Sequence, residues 1–307
     1  MTPSGVGVVP LVAIVVVNWQ RRDETLACLA SLTHLTYPRW QLVLVDNGCF
    51  DFTADELARL VPGARYERCP VNTGFAGGSN RGMRIGLDAG ADYVWFLNND
   101  ARPEPDALAE LVGAARAASV AIIGAKILLA ADATRLDSVA LSVDLSRGRV
   151  CLLGHDEVDR GQYDDLAEVT AVSGCALLAS RAACERLGGF DEEFFAYYED
   201  ADLCLRARAA GLRVAVAPRA RVHHGRATAT RGRQSVESLY YASRNHLRLI
   251  DRHGAGPAWR RRARLVAVLA LNAAFAARPG AGSLAARLRA VWRGARDFRR
   301  GVHGPAR

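Results

Sequence analysis

The sequence predicts an α/β fold: a doubly wound, mostly parallel central sheet flanked by helices, with a helical basic extension at its C-terminal end. Three observations carry this prediction. Runs rich in Val, Ile and aromatic residues, at Val8–Asn18, Trp40–Val45 and Tyr93–Leu97, read as strands buried on both faces. Each run stops in Asn or Asp and is followed by helical periodicity, and three such strand–helix units fit in the first third of the 307 residues. Half the residues are apolar and only 23% are charged, which is the composition of a folded globular chain.

Taken in order, Val8–Asn18 is the first strand, and Asp23 is expected to cap a helix running to about His34. A second strand, Trp40–Val45, ends in Asp46-Asn47-Gly48. A short helix over 55–60 and a third strand over 64–69 follow. Next comes Asn72-Thr73-Gly74-Phe75-Ala76-Gly77-Gly78-Ser79-Asn80-Arg81-Gly82, read as a Gly-rich loop opening a helix that reaches Gly90. Such a loop lets backbone N–H groups approach a phosphate or a ring, or it is simply a turn. It matches neither the dinucleotide nor the P-loop spacing. The strand Tyr93–Leu97 ends in Asn98-Asn99-Asp100, and Pro103 and Pro105 stop it from continuing. Ligands of open α/β sheets bind beyond the carboxyl ends of the strands. Asp100 therefore stands either in an Asn/Asp turn or where a divalent cation would be held.

A helix over 105–118 and a strand over 120–129 come next, followed by an excursion of short strands and loop over 131–168. An apolar segment surrounds Ser173-Gly174, and a short helix, 181–187, is broken by Gly188-Gly189. The segment Phe190–Leu203 crowds six carboxylates among aromatic residues. A helix from about Asp200 to Ala210 places Glu199, Asp200 and Asp202 at its N-terminus. The helix dipole favours ionised carboxylates there, which serves either capping or proton transfer. A strand over 213–217 leads to Val222-His223-His224, a pair either exposed or including a metal ligand.

The seven cysteines are scattered without a CxxC pair, so neither a disulfide framework nor a zinc site is expected, and reduced cytoplasmic thiols are. Charge is unevenly spread. From Ala255 onward twelve arginines face one acid, Asp297, for +11 of a total of +8, which leaves −3 on residues 1–254.

The ordered motifs VVVNW, VDNG, NTGFAGGSNRG, FLNND, SGCALL, GGFDEEFFAYYEDADLCLRARAAG, VHH and YYASRNHLRL resemble family 2 glycosyltransferases of the GT-A fold, in particular the rhamnosyltransferase-like enzymes of bacterial cell-surface polysaccharides. The resemblance covers about Val12 to Arg248. It implies an inverting, metal-dependent transfer of rhamnose or another hexose from a nucleotide-diphosphate sugar to a glycan or lipid-linked acceptor. By the same resemblance Asn18, Asp46, Asn72, Gly74, Asn80 and Asn99 would bind the nucleotide sugar. Asp100 and His224 would hold Mg²⁺ or Mn²⁺, with His223 the alternative ligand. Asp200 would be the catalytic base and Glu199 its neighbour. Asn98-Asn99-Asp100 keeps only the last carboxylate of the family's DxD-type motif. A catalytic domain over 1–230, divided into a nucleotide half (8–100) and a metal and acceptor half (101–230), is expected before a basic extension over 231–307. The competing readings are a sugar-phosphate nucleotidyltransferase, which lacks its N-terminal lysine here because Lys126 is the sole lysine, and a nucleotide-sugar or lipid-binding module without activity.

In the extension, Arg260, Arg261, Arg262 and Arg264 precede the 13-residue apolar run Leu265–Ala277, too short to span a bilayer. Leu284, Leu288, Val291, Trp292, Ala295 and Phe298 then fall on one helical face beside arginines. That pattern suits peripheral attachment to an anionic membrane, on the inner face of the cytoplasmic membrane. No zinc-finger, helix-turn-helix or RNA-binding signature accompanies the arginines, so nucleic acid is not an expected partner.

Overall fold

A computed structural model describes residues 8–225 and 235–306. The expected domain boundary at 230/231 lies outside the described residues. In chain order the elements are β1 (Val12–Asn18), α1 (Arg22–Leu32), β2 (Trp40–Asn47), α2 (Ala54–Leu60), β3 (Arg65–Cys69), α3 (Gly74–Asp88), β4 (Tyr93–Asn98), β5 (Ala101–Pro103), α4 (Ala107–Ala117), β6 (Ile122–Leu129), β7 (Asp132–Ser138), β8 (Ala140–Asp144), β9 (Arg149–Leu153), β10 (Ala176–Ser180), α5 (Arg181–Leu187), α6 (Glu199–Ala209), β11 (Val214–His224), α7 (Val236–His253), α8 (Ala258–Ala276) and α9 (Leu284–Arg299).

The main sheet runs β3-β2-β1-β4-β10-β6-β11-β5, with β7 beside β6. The first four strands are parallel, in register from Val12 opposite Trp40 and Tyr93. β10 then enters antiparallel between β4 and β6, so the second half of the sheet is mixed. Alternate side chains serve two cores, as a doubly covered sheet requires. Val12, Ile14 and Val16 pack with Leu29 of α1, Leu57 of α2 and Leu108 of α4. Val15 and Phe96 pack with Met83 of α3, Cys184 of α5 and Leu203 of α6.

Local differences from the expected elements have physical reasons. β1 begins at Val12, since Val8 and Val9 are exposed and Pro10 has no N–H for the ladder. Asp23 lies inside the first turn of α1 and caps nothing; Arg21 precedes the helix without a side-chain cap. β4 ends at Asn98 as expected, but a separate short strand, β5, follows and ends at Pro103; it pairs β11 alone, at the sheet edge, where the missing donor of the proline is tolerated. The Gly-rich stretch is not a loop, because α3 starts at Gly74 itself. A Cβ on Gly82 would stand 2.3 Å from Val15 Cγ1, so the glycines of this helix let it lie close on the sheet.

Candidate active site

The carboxyl ends of β1, β2 and β4 converge with the end of β11. At β2, Asp46 is fully buried. Its carboxylate accepts from Tyr66 Oη (3.0 Å), Cys49 Sγ (2.8 Å), the Phe52 amide (3.3 Å) and Asn18 Nδ2 (3.4 Å). Asn18 also bonds Thr25, whose hydroxyl accepts in turn from Asn99 Nδ2 at 2.9 Å. Beyond Asp46, Phe50 is half exposed at φ +60, with the Arg68 guanidinium 3.9 Å above its ring. Asn72 accepts from the Gly74 amide (2.8 Å) and from Asn47 (3.1 Å). Asn80 is buried, and its amide is committed to Phe190 N (2.8 Å), Phe190 O (2.8 Å) and Glu192 (3.0 Å). Thus Asn18, Asp46, Asn72, Gly74 and Asn99 lie together at the strand ends, and Asn80 faces the segment after α5.

Asp100 follows β4, and β5 and β11 bring His224 to it, with His224 Nε2 3.2 Å from Asp100 Oδ1. Alternation along β11 turns His223 the other way, onto Glu104 at 3.1 Å. His224 Nδ1 lies 2.7 Å from Asp137 Oδ2 on β7. Asp137 was not read from the sequence; it sits in a charged excursion and reaches His224 only through the sheet. Burial would lower the basicity of His224, but Cys175, Asp100 and Asp137 outweigh it and hold the imidazole well above its ordinary value. Among the described residues no cluster of three or more His, Cys, Asp or Glu forms a complete metal cage. The Asp100–His224 pair nevertheless fits a divalent cation as two of its ligands. A carboxylate oxygen and an imidazole nitrogen converge, and the second nitrogen is fixed by a carboxylate, the arrangement that orients a ligating histidine.

Glu199 and Asp200 open α6 behind a loop bent through positive φ at Phe195, Tyr197 and Tyr198. Such backbone persists only where surroundings hold it. Here the surroundings are α7. Asn245 Nδ2 reaches the carbonyls of Phe194 (2.7 Å), Ala196 (2.7 Å) and Tyr197 (3.0 Å), and the buried Arg244 also donates to Phe194 O. Gly74, at φ +76, faces the Phe195 carbonyl so closely that a Cβ would lie 2.3 Å from it, and Ala76 N donates to that oxygen.

Asp200 is partly exposed and accepts from Gly174 N (2.8 Å) and Ala201 N (2.7 Å). Burial raises its carboxyl against these two amides. Glu199 is buried, and its Oε2 has no hydrogen-bond partner. Burial first, then the charge of Asp200, holds it well above the usual carboxylate range. Gly174 and Cys175 join the two clusters: one donates to Asp200, and the next presses its thiol against His224. The Tyr197 hydroxyl is raised by crowding and then by the charges of Glu199, Glu237 and Asp100.

Residues 13–188 match the model of glycosyl transferase family 2, and residues 162–230 match the N-terminal domain of galactosyltransferase. The chain is 30% identical over 244 residues to N-acetylglucosaminyl-diphospho-decaprenol L-rhamnosyltransferase of Mycobacterium tuberculosis, covering 73% of this chain and 79% of that protein. It is 25% identical to a low-salt glycan biosynthesis hexosyltransferase of Haloferax volcanii, covering 64% and 61%. Among solved structures it resembles a mannosyltransferase of Pyrobaculum calidifontis in complex with GDP-Man and Mn²⁺ (TM-score 0.57, 18% identity, 95% of this chain and 85% of that one). It also resembles S. aureus TarS 1-349 (TM-score 0.55, 16% identity, 95% and 92%).

Proposed function

The chain belongs to glycosyl transferase family 2 and has the GT-A fold, and on that premise we propose that it transfers a hexose from a nucleoside diphosphate sugar to a hydroxyl of a lipid-linked or glycan acceptor, with inversion. What carries the reading is the Gly174-Cys175 step, which ties the carboxylate of Asp200 to the Asp100–His224 pair. Two consecutive residues thus contact the base on one side and the Asp100–His224 pair on the other, an arrangement that suits displacement at a carbon held between them.

In this reading the cleft around Asp46, Asn18, Asn72 and Asn99 receives the nucleoside, with Phe50 at its lip. Asn80 works indirectly, joining α3 to the segment that leads to the acceptor loop. Asp200 takes the proton of the acceptor hydroxyl. The acceptor oxygen bonds to the anomeric carbon on the face opposite the diphosphate, the carbon–oxygen bond to the diphosphate breaks, and the nucleoside diphosphate leaves. Glu199 keeps its own proton, so the negative charge of the pair rests on Asp200. A divalent cation bound by Asp100 and His224 would supply charge neutralisation for the departing diphosphate. The imidazole suits Mn²⁺ better than Mg²⁺, and Asp137 fixes its orientation.

The identity to the mycobacterial rhamnosyltransferase supports a rhamnose-like sugar and an acceptor sugar carried on a polyprenyl diphosphate, as in cell-envelope polysaccharide synthesis. A panel of dTDP-, UDP- and GDP-sugars tests the reading by thermal shift and by nucleotide release. One donor is expected to raise the melting temperature with Mn²⁺ and to turn over only with the metal. Full turnover in EDTA would contradict it.

A further inference from the structure

The α8–α9 hairpin exposes apolar surface that nothing in the described chain covers. From Leu265 to Ala277 no side chain of α8 is charged, and the one polar residue, Asn272, turns inward to His246 Nδ1 at 3.1 Å. Val268 and Ala276 are buried against the body, so the opposite face looks outward: Val266 is 68% exposed, Phe275 43% and Leu271 38%, with Ala270 and Ala274 exposed between them. That face is about 20 Å long.

On α9 the expected apolar face is divided. Val291 and Ala295 are buried, and Gly294 approaches α7 so closely that a Cβ would meet Tyr240 O at 2.5 Å. Leu284, Leu288 and Trp292 form a separate exposed ridge, and Arg289, Arg293 and Arg296 share an open groove with Leu288 and Trp292. Arginines also bracket α8, Arg260 lying 5.1 Å over the Trp259 ring and Arg278 5.5 Å over Phe275.

We propose that this hairpin docks on an anionic lipid surface, with its apolar ridges at the headgroup–acyl boundary and its arginines on lipid phosphates. Charge selects this occupant. Residues 258–299 carry ten arginines and one acid, so pairing two copies through them would oppose like charges, whereas an anionic leaflet complements them. The apolar run is too short to span, and among the described residues no helix is long and apolar enough to cross a membrane, so the hairpin lies on the surface. Docking there would bring the lipid to the acceptor end of the site. His246, bonded to Asn272 of α8, stacks on Tyr198 with ring centroids 5.0 Å apart, and Tyr198 immediately precedes Glu199. The choice of acceptor end rests on the glycosyl-transfer reading; binding to lipid does not.

The test is co-sedimentation of the full chain, without nucleotide, on phosphatidylglycerol/phosphatidylcholine vesicles and on phosphatidylcholine alone. The comparison variants are Val266→Asp/Ala270→Asp and Arg262→Glu/Arg289→Glu, all at exposed positions and matched to the parent by circular dichroism. The parent should pellet with anionic vesicles, and each variant should bind at least about tenfold more weakly. Equal binding by parent and variants, or equal recovery on neutral vesicles, would overturn the proposal. So would a dimer, seen by light scattering, that Val266→Asp/Ala270→Asp dissolves in a chain that ignores vesicles.

Discussion

Glu199 and Asp200 are adjacent carboxyl groups in different surroundings, and the proposed reaction gives them different tasks. Two backbone amides hold the Asp200 carboxylate, while Glu199 is buried with an unpartnered oxygen and binds its proton more tightly. Burial pushes Glu199 towards its neutral acid, which Glu199→Gln mimics, so turnover at neutral pH should stay within a few-fold of the parent; a loss of a hundredfold or more would show that the ionised form of Glu199 is used. The stability sign follows from the same shift. A carboxyl whose folded-state proton affinity exceeds its unfolded one stabilises the fold below the ordinary carboxylate range and costs stability as pH rises through its folded pKa. Glu199→Gln should therefore raise the melting temperature at neutral pH, and a fall would contradict the burial argument. At the metal pair, Asp137→Asn should weaken Mn²⁺ affinity in the presence of nucleotide by about 10–100-fold while leaving the fold intact. Isothermal titration reads this directly, and unchanged affinity would remove Asp137 from the site.

At the scale of elements, the loop that precedes α6, 194–198, is held from behind by α7, and α6 is joined to α7 by a buried ion cluster. Asp202 is fully buried between Arg206 (2.7 Å), His253 (2.8 Å) and Arg252 (3.2 Å). Burial alone would raise its carboxyl, but His253 and Arg206 bring it below the ordinary value. A depressed carboxylate contributes stability that is present above its unfolded pKa and lost as pH falls through the folded one. Asp202→Asn should thus cost roughly 3 kcal/mol at neutral pH, and less in acid, by chemical denaturation. A pH-independent difference would contradict the ion-cluster account.

These elements also show what a sequence can disclose. The parallel strands were legible because each is buried on both faces and reads as an unbroken apolar run. β5 was not, since a three-residue edge strand ending in proline carries no periodicity. The glycines of α3 were read as a loop because close packing of a helix on a sheet and a backbone cradle select the same residue. Asp137 was invisible because its partner lies 87 residues away and the two meet only when β6 pairs with β7 and β11. On α9 the arithmetic of periodicity merged Trp292 with Val291 and Ala295, and only the contact with α7 separates them.

For the whole molecule, the strand ends, α6 and the C-terminal helices form one continuous structure, running from Asp46 through Asp100 and His224 to Asp200 and then through Tyr198 and His246 to α8. The proposed reaction places Asp200 as the base at one end of a site whose other end holds the donor. The direct measurement is donor affinity and turnover in Asp200→Asn, taken side by side with the parent at saturating Mn²⁺. Asp200→Asn is expected to lose about 10²–10⁴ in turnover with donor affinity nearly unchanged. Turnover comparable to the parent, with the donor bound equally well, would contradict it.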